Sequence, residues 1–321
     1  MSVDPVERML TFTGSLVALI TPFNQDGSID YGALSDLVAR HEHQGTAGLF
    51  FLGVAGEGST LDDAEFTDFV RTVLSADRRL PHFIGCTGHS TADAIRRVAT
   101  AAEYGADGAI LTVPANMGPD QTQAARYFLD VADASTIPIG TFNNPARLLT
   151  DLDTATMRTI LAHPRIVLHK EGSPRTGQIG ELLAERTQVC FLADDSPDQD
   201  IMVTSLALGA RGIANASGNL LPRELAILAQ PWEPATHARD LDSFRALYFR
   251  TLPVIKFLYS RRSPIAIKSM MRAVGLPAGH LRAPLTPMDG TEVAAGLAVL
   301  RQYVDSCREL GLTTPTATLS I

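Results

Sequence analysis

The chain has 321 residues, 45% of them apolar, with a net charge of −8 and a pI near 5.5. That length suits one α/β barrel of about 250 residues with an addition, and the acidic balance argues against a nucleic-acid partner, since basic residues never run beyond pairs such as Arg261-Arg262. Cys86, Cys190 and Cys307 are odd in number and far apart, which fits neither a disulfide framework nor a metal site; Met1 to Thr13 lacks a secretory pattern and no stretch approaches the ~20 apolar residues of a membrane span, so the expected setting is the cytoplasm.

In chain order, Ser15 to Ile20 reads as a strand. Tyr31 to His43 follows as a helix with Leu34, Leu37, Val38 and His41 on one face. Gly48 to Leu52 is a second strand and Leu61 to Leu74 a second helix. His82 to Cys86 leads to Thr91 to Tyr104, a helix that Ser90 can cap. Gly108 to Val113, Pro119 to Ala134, Pro138 to Phe142 and Thr154 to Leu161 continue the alternation. Ile166 to Lys170, Val189 to Ala193 and Gly212 to Ala214 complete eight apolar runs, with starts roughly 23–34 residues apart. The runs are continuous rather than alternating, as parallel strands buried on both faces require. The expected fold is therefore an α/β (β/α)8 TIM barrel with a C-terminal helical extension. Pro222 to Ala229, Ala238 to Tyr259, Pro264 to Val274 and Thr291 to Leu310 read as the helices of that extension. The expected division is an N-terminal extension over 1–13, the barrel over 14–224, a helical region packed on it over 225–311 and a mobile tail over 312–321.

Lysine is scarce. Of 27 basic side chains only Lys170, Lys256 and Lys268 are lysines, and Lys170 ends the sixth apolar run. A lysine is seldom buried without a partner or a purpose. Desolvation disfavours the ammonium, and a neutral amine can attack a carbonyl carbon. The expectation is an amine held largely uncharged; the plain alternative is a strand-end lysine reaching a carboxylate such as Glu171. Other strand ends supply polar groups. Gly53-Val54-Ala55-Gly56-Glu57-Gly58 follows the second, and its amides can form a carboxylate nest or merely a tight turn. Arg147 follows the fifth and can pair with a carboxylate or sit in a surface ion pair. Asp194-Asp195 ends the seventh and can bind hydroxyls or cap a helix. Asn215 to Asn219 follows the eighth. His169 alternates away from Lys170 and reads as a packed core histidine.

Taken together, these motifs resemble the pyruvate-dependent Schiff-base family that contains dihydrodipicolinate synthase and N-acetylneuraminate lyase. The resemblance runs over roughly Gly14 to Met288. It rests on Ala18 to Phe23, Gly53 to Glu57, Asn143 with Pro145 and Arg147, and His169-Lys170-Glu171. Asp194-Asp195, Gly212 with Asn219 and Pro222, and Ser263 to Lys268 add to it. It implies a lyase or synthase that condenses or cleaves pyruvate, or a pyruvate-derived 2-oxo acid, with an aldehyde. By the match, Lys170 forms the Schiff base and the Val54-Ala55 turn carries the 2-oxo acid carboxylate. Arg147 holds a second acidic group, and Lys268 is a late-helix residue. No metal or organic cofactor is implied, and a homo-oligomer of two or four copies is. The family's tyrosine at the end of the fifth strand is Phe142 here. Its hydroxyl residue in the turn is Val54, and Pro114-Ala115-Asn116 replaces a tyrosine that follows the fourth strand. No tyrosine falls at a strand end, so a proton relay of the usual kind is expected to be absent. Asn116, His89, Asn215, Asp194, a bound water and the substrate's own carboxylate are the candidate substitutes. Dihydrodipicolinate synthesis is accordingly expected to be poor. A sugar-acid dehydratase or aldolase of the same family, or a non-catalytic 2-oxo-acid-binding descendant, are the alternatives. A metal-dependent aldolase is disfavoured because the strand ends show no histidine and carboxylate cluster.

Overall fold

Each of the eight apolar runs becomes a strand, and each strand is buried along its whole length. They are β1 (Gly14–Ala18), β2 (Gly48–Phe51), β3 (His82–Gly85), β4 (Gly108–Leu111), β5 (Ile139–Asn143), β6 (Ile166–Glu171), β7 (Cys190–Asp194) and β8 (Gly212–Asn215). All pair in parallel with their sequence neighbours, and β8 pairs back onto β1 through Gly14 opposite Gly212, so the sheet is a closed barrel. The computed structural model describes residues 4–185, 188–232 and 241–309. The tail at 312–321 lies outside them.

The helices between strands start where the sequence offers side-chain acceptors for orphan N–H groups. In α2 (Tyr31–His43) the Asp30 carboxylate accepts from the Ala33 amide at 2.9 Å. Reciprocal capping boxes open α3 (Asp63–Ser75), through Asp62 and Glu65, and α5 (Gln121–Ala134), through Asp120 and Gln123. Ser90 caps α4 (Thr91–Glu103), and Asp153 caps α6 (Thr154–Leu161). Two further helices, α7 (Thr176–Ala184) and α8 (Met202–Ala207), were not foreseen. Gly177 and Gly180 weaken the helical pattern of α7, and α8 has only six residues.

The N-terminal extension also carries a helix, α1 (Pro5–Leu10), which contacts β4 and β6. Its Met9 is fully buried, and glycines make the space. A Cβ at Gly108 would stand 2.8 Å from Met9 Sδ, and one at Gly140 2.9 Å from Met9 Cε. At the opposite end of the chain, α9 (Pro222–Leu228), α10 (Leu241–Leu258), α11 (Ile265–Ala273) and α12 (Gly290–Glu309) pack on the barrel. Val254, Ile255, Leu258, Ile267 and Met270 belong to the same apolar core as the strands. Helix α12 lies close against α10 and α11 at Gly296, where a Cβ would fall 2.3 Å from Phe257 and 2.4 Å from Met270 Sδ.

One irregularity sets up the site. Ile139 opposes Ile166, but Gly140 opposes Leu168, so the β5–β6 register slips by one residue. Beyond the slip Phe142 opposes Lys170. Opposed residues of parallel strands project to the same side, and a one-residue shift would exchange faces.

Candidate active site

The register puts Phe142 beside Lys170, and the next strand supplies a carboxylate. Leu192 of β7 opposes Lys170, so Asp194, two residues on, shares its face. Lys170 Nζ lies 2.7 Å from Asp194 Oδ2 and 4.3 Å from the Phe142 ring centroid. Both charged side chains are 7% exposed. Lys170 is therefore paired with a carboxylate from β7. The partner is not the adjacent Glu171, because alternation turns that side chain away. Glu171 instead receives bonds from Asn143 at 3.1 Å, from the amides of Gly172 and Ser173 at 2.9 and 2.8 Å, and from Gln178 of α7 at 3.2 Å. Burial alone would raise the Glu171 carboxyl, but bonding to His169 and Ser173 outweighs it and holds the group below its ordinary range. His169, on the same face, is fully buried with Nδ1 2.8 Å from Thr141 Oγ1.

In front of Lys170 is a cavity of about 420 Å3. Phe50, Val54, Ala55, Phe142, Arg147 and Asp194 are among its walls. The turn that carries Val54 and Ala55 folds tightly. Leu52 and Glu57 take left-handed backbone angles, and a Cβ at Gly58 would lie 2.1 Å from the Leu52 carbonyl oxygen. Glu57 and Gly58 donate back to Val54 and Gly53 at 3.1 and 3.3 Å. Among the described residues the amides of Val54 and Ala55 have no protein acceptor. That leaves two N–H groups available to an anion at the cavity wall.

Glu57 anchors this turn from behind. Its carboxylate accepts from Lys268 Nζ at 2.6 Å and from the Arg282 amide at 3.0 Å, and Lys268 also donates to the His280 carbonyl at 2.5 Å. Burial lowers the Lys268 ammonium, against the opposing pull of Glu57.

Six of the eight residues expected at the site line the cavity: Val54, Ala55, Phe142, Arg147, Lys170 and Asp194. Arg147 is half-buried and has no carboxylate partner among the described residues. Asn116 is exposed on the loop after β4 and does not line the cavity. Asn215 does not line it either. It is fully buried and its amide is committed, donating to Ser15 Oγ at 2.8 Å and accepting from the Gly218 amide at 2.9 Å. His89 is exposed and away from the cavity.

Sequence reasoning missed the residues that the C-terminal region contributes. Tyr259, one residue past α10, lines the cavity, as do Arg261, Arg262 and Ser263. The cavity therefore has a phenol after all, supplied from a helix end rather than a strand end. The Tyr259 hydroxyl donates to Asp195 Oδ1. Asp195 also accepts from the Ala216 and Ser217 amides at 3.1 and 3.0 Å. Burial, and then the Asp194 charge, push the Asp195 carboxyl up. Burial and Asp195 push the Tyr259 phenol up as well. No group of three His, Cys, Asp or Glu side chains among the described residues could hold a metal ion. No helix among them is long and apolar enough to cross a membrane.

Comparison with known proteins agrees with this geometry. The model of the dihydrodipicolinate synthetase family matches residues 11–302. A 4-hydroxy-tetrahydrodipicolinate synthase of Geobacter metallireducens is 32% identical over 295 residues, 91% of this chain and 99% of that protein. The crystal structure of dihydrodipicolinate synthase from Aquifex aeolicus superposes with a TM-score of 0.83 at 31% identity, covering 91% of this chain and 98% of that one. The chloride-inhibited dihydrodipicolinate synthase of Acinetobacter baumannii, solved in complex with pyruvate, gives 0.84 at 26% identity over 91% and 99% of the two chains.

Proposed function

The chain belongs to the dihydrodipicolinate synthetase family, whose members are Schiff-base enzymes of the aldolase and lyase type, and from that membership we propose that it joins or splits pyruvate, or a 2-oxo acid containing pyruvate, and an aldehyde through an imine on Lys170. The observation that carries the proposal is the buried Lys170–Asp194 pair facing a cavity edged by two unspent amides. Asp194 can take one ammonium proton at 2.7 Å and leave a nucleophilic amine. The Val54 and Ala55 amides receive the 2-oxo acid carboxylate. Arg147 receives a second acidic group. Once the imine forms, its protonated nitrogen draws electrons from the adjacent carbon, which loses a proton to give the enamine that attacks the aldehyde. Phe142 keeps the wall beside the imine apolar and moves no proton.

Dihydrodipicolinate synthesis itself is not the expected reaction, because Phe142, Val54 and Ala55 bring no hydroxyl to the imine. An aldolase or dehydratase of a sugar acid fits the same frame. The proposal includes assembly into a homo-oligomer of two or four copies, which sedimentation velocity tests, and residence in the cytoplasm. Borohydride reduction in the presence of pyruvate and a panel of 2-oxo acids, followed by peptide mapping, tests the core. A reduced adduct on Lys170 is expected, and its absence across the panel defeats the proposal. A second reading, a non-catalytic barrel that binds a 2-oxo acid, draws on the resting Lys170–Asp194 ion pair. It predicts saturable binding by calorimetry with no adduct.

A further inference from the structure

Forming an imine on Lys170 requires a proton to travel from nitrogen to the departing oxygen. Asp194 can carry the first ammonium proton, but the second, which must pass from nitrogen to the oxyanion of the adduct, needs another group, and Phe142, Val54 and Ala55 have none to give. Among the side chains that line the cavity, one phenol is held at a defined place. Tyr259 is anchored by its bond to Asp195, and Asp195 is itself fixed by the Ala216 and Ser217 amides. The bond ties the end of α10 to the rim of the barrel between β7 and β8.

We infer that Tyr259 is the proton-transfer group of this site, delivered by the C-terminal helices to serve the imine on Lys170, with Asp195 as its positioning residue. The inference deepens the reading of Lys170 given above and rests on it. The charges that act on the Tyr259 hydroxyl are those of Asp195, Asp194 and Arg147, and the last two face the cavity.

The steps balance as follows. Lys170 passes one ammonium proton to Asp194. The amine attacks C2 of the 2-oxo acid, a C–N bond forms, and the carbonyl electron pair moves to oxygen. That oxygen takes the Tyr259 proton, and the phenolate recovers one from the nitrogen, leaving a neutral carbinolamine. Asp194 then returns its proton to the hydroxyl, which departs as water while the nitrogen lone pair closes the C=N bond. The product is a protonated imine, with Asp194 ionised and Tyr259 restored.

The test uses the full-length protein, with pyruvate as the probe. Two readouts serve: the rate of borohydride-trappable adduct formation, and exchange of the pyruvate methyl protons with D2O followed by NMR. Tyr259→Phe keeps the ring and removes the hydroxyl. Both rates are expected to fall by about 10²-fold, the usual scale of acid–base assistance. The pyruvate concentration for half-saturation and the melting temperature should stay near those of the unaltered protein. Adding Phe142→Tyr to Tyr259→Phe places a phenol beside Lys170 and should restore much of the rate. Unchanged rates in Tyr259→Phe overturn the inference while leaving Lys170 untouched. A fall accompanied by weaker pyruvate binding, a lower melting temperature and no rescue makes Tyr259 a tether only, and also overturns it. If the unaltered protein gives neither adduct nor exchange, the Lys170 reading fails first and this inference falls with it.

Discussion

Two buried lysines in this molecule have nearly the same surroundings and different fates. Lys170 sits 2.7 Å from Asp194 and 4.3 Å from the Phe142 ring, while Lys268 sits 2.6 Å from Glu57 and 4.6 Å from the Phe23 ring. Each is an ammonium between a carboxylate and an aromatic face. The difference lies in the remaining bonds. Lys268 also donates to the His280 carbonyl at 2.5 Å, and its side chain is 1% exposed. Lys170 opens on the cavity. A carboxylate partner therefore does not mark a lysine as structural. On the proposed function, spare coordination and a space for a carbonyl carbon distinguish the amine that forms the imine.

The largest break in that comparison comes from removing the two amines in turn. Lys170→Arg keeps a cation for Asp194 but cannot form an imine. Borohydride trapping with pyruvate should vanish while the urea midpoint stays close to that of the unaltered protein. Lys268→Met should behave oppositely. Stripping one partner from a buried ion pair costs about 3–5 kcal/mol, so the urea midpoint drops sharply. Adding Glu57→Gln should recover part of that loss, since no uncompensated charge then remains. If Lys268→Met instead left stability intact, the contrast between clamp and nucleophile would be wrong.

Acid unfolding sets the background against which both lysine pairs must be measured. His41 and His82 are pushed down to about 3, first by burial and then by the charges of Arg40 and Arg78. An unfolded histidine titrates near 6.5. As pH falls from about 6.5 towards 3, the unfolded chain takes up protons that the folded chain refuses, and stability is lost. Each histidine should contribute about 1.4 kcal/mol per pH unit in that window. His82 is buried with its ring edge-on to Phe51, so His82→Leu should remove its share of the slope. Urea midpoints between pH 7 and 5 read the difference.

The smallest contrast concerns the rings. Phe23 faces two cations, Lys268 at 4.6 Å and Arg282 at 4.3 Å, whereas among the described residues Phe142 faces Lys170 alone. Phe23→Leu should therefore cost about 1 kcal/mol more than Phe142→Leu in thermal or urea unfolding. Equal losses would show that ring packing, not charge, sets both.

The Lys170 region was largely legible in the sequence, and the Lys268 region was not. Strand ends in a barrel converge, so Val54, Ala55, Phe142, Arg147, Lys170 and Asp194 could be brought together from eight apolar runs and their trailing motifs. The one-residue slip between β5 and β6 has no sequence mark, yet it determines which side chain Lys170 meets. Asn116 and Asn215 follow strands but take other places, one exposed and one bound inside the barrel, because loop direction and side-chain commitment are not periodic properties. Tyr259 was hidden by its position at the end of a helix. Only tertiary packing of α10 carries it to the cavity, and the adjacent Arg261-Arg262 pair reads only as a basic run too short to mark a nucleic-acid partner. Glu57 reads in the sequence only as part of a glycine-rich turn, and the partners that anchor it lie on α11 and the loop after it.

The bond from Lys268 to Glu57 joins residues 211 positions apart. A ribosome adding about 5–20 residues per second makes Glu57 some 10–40 seconds before Lys268 exists. During that wait the turn at Val54 and Ala55 has its glycines and its backbone but not its rear anchor. The last quarter of the polypeptide thus acts on the first quarter after the fact, and the nascent chain has no finished pocket to offer until synthesis is nearly done.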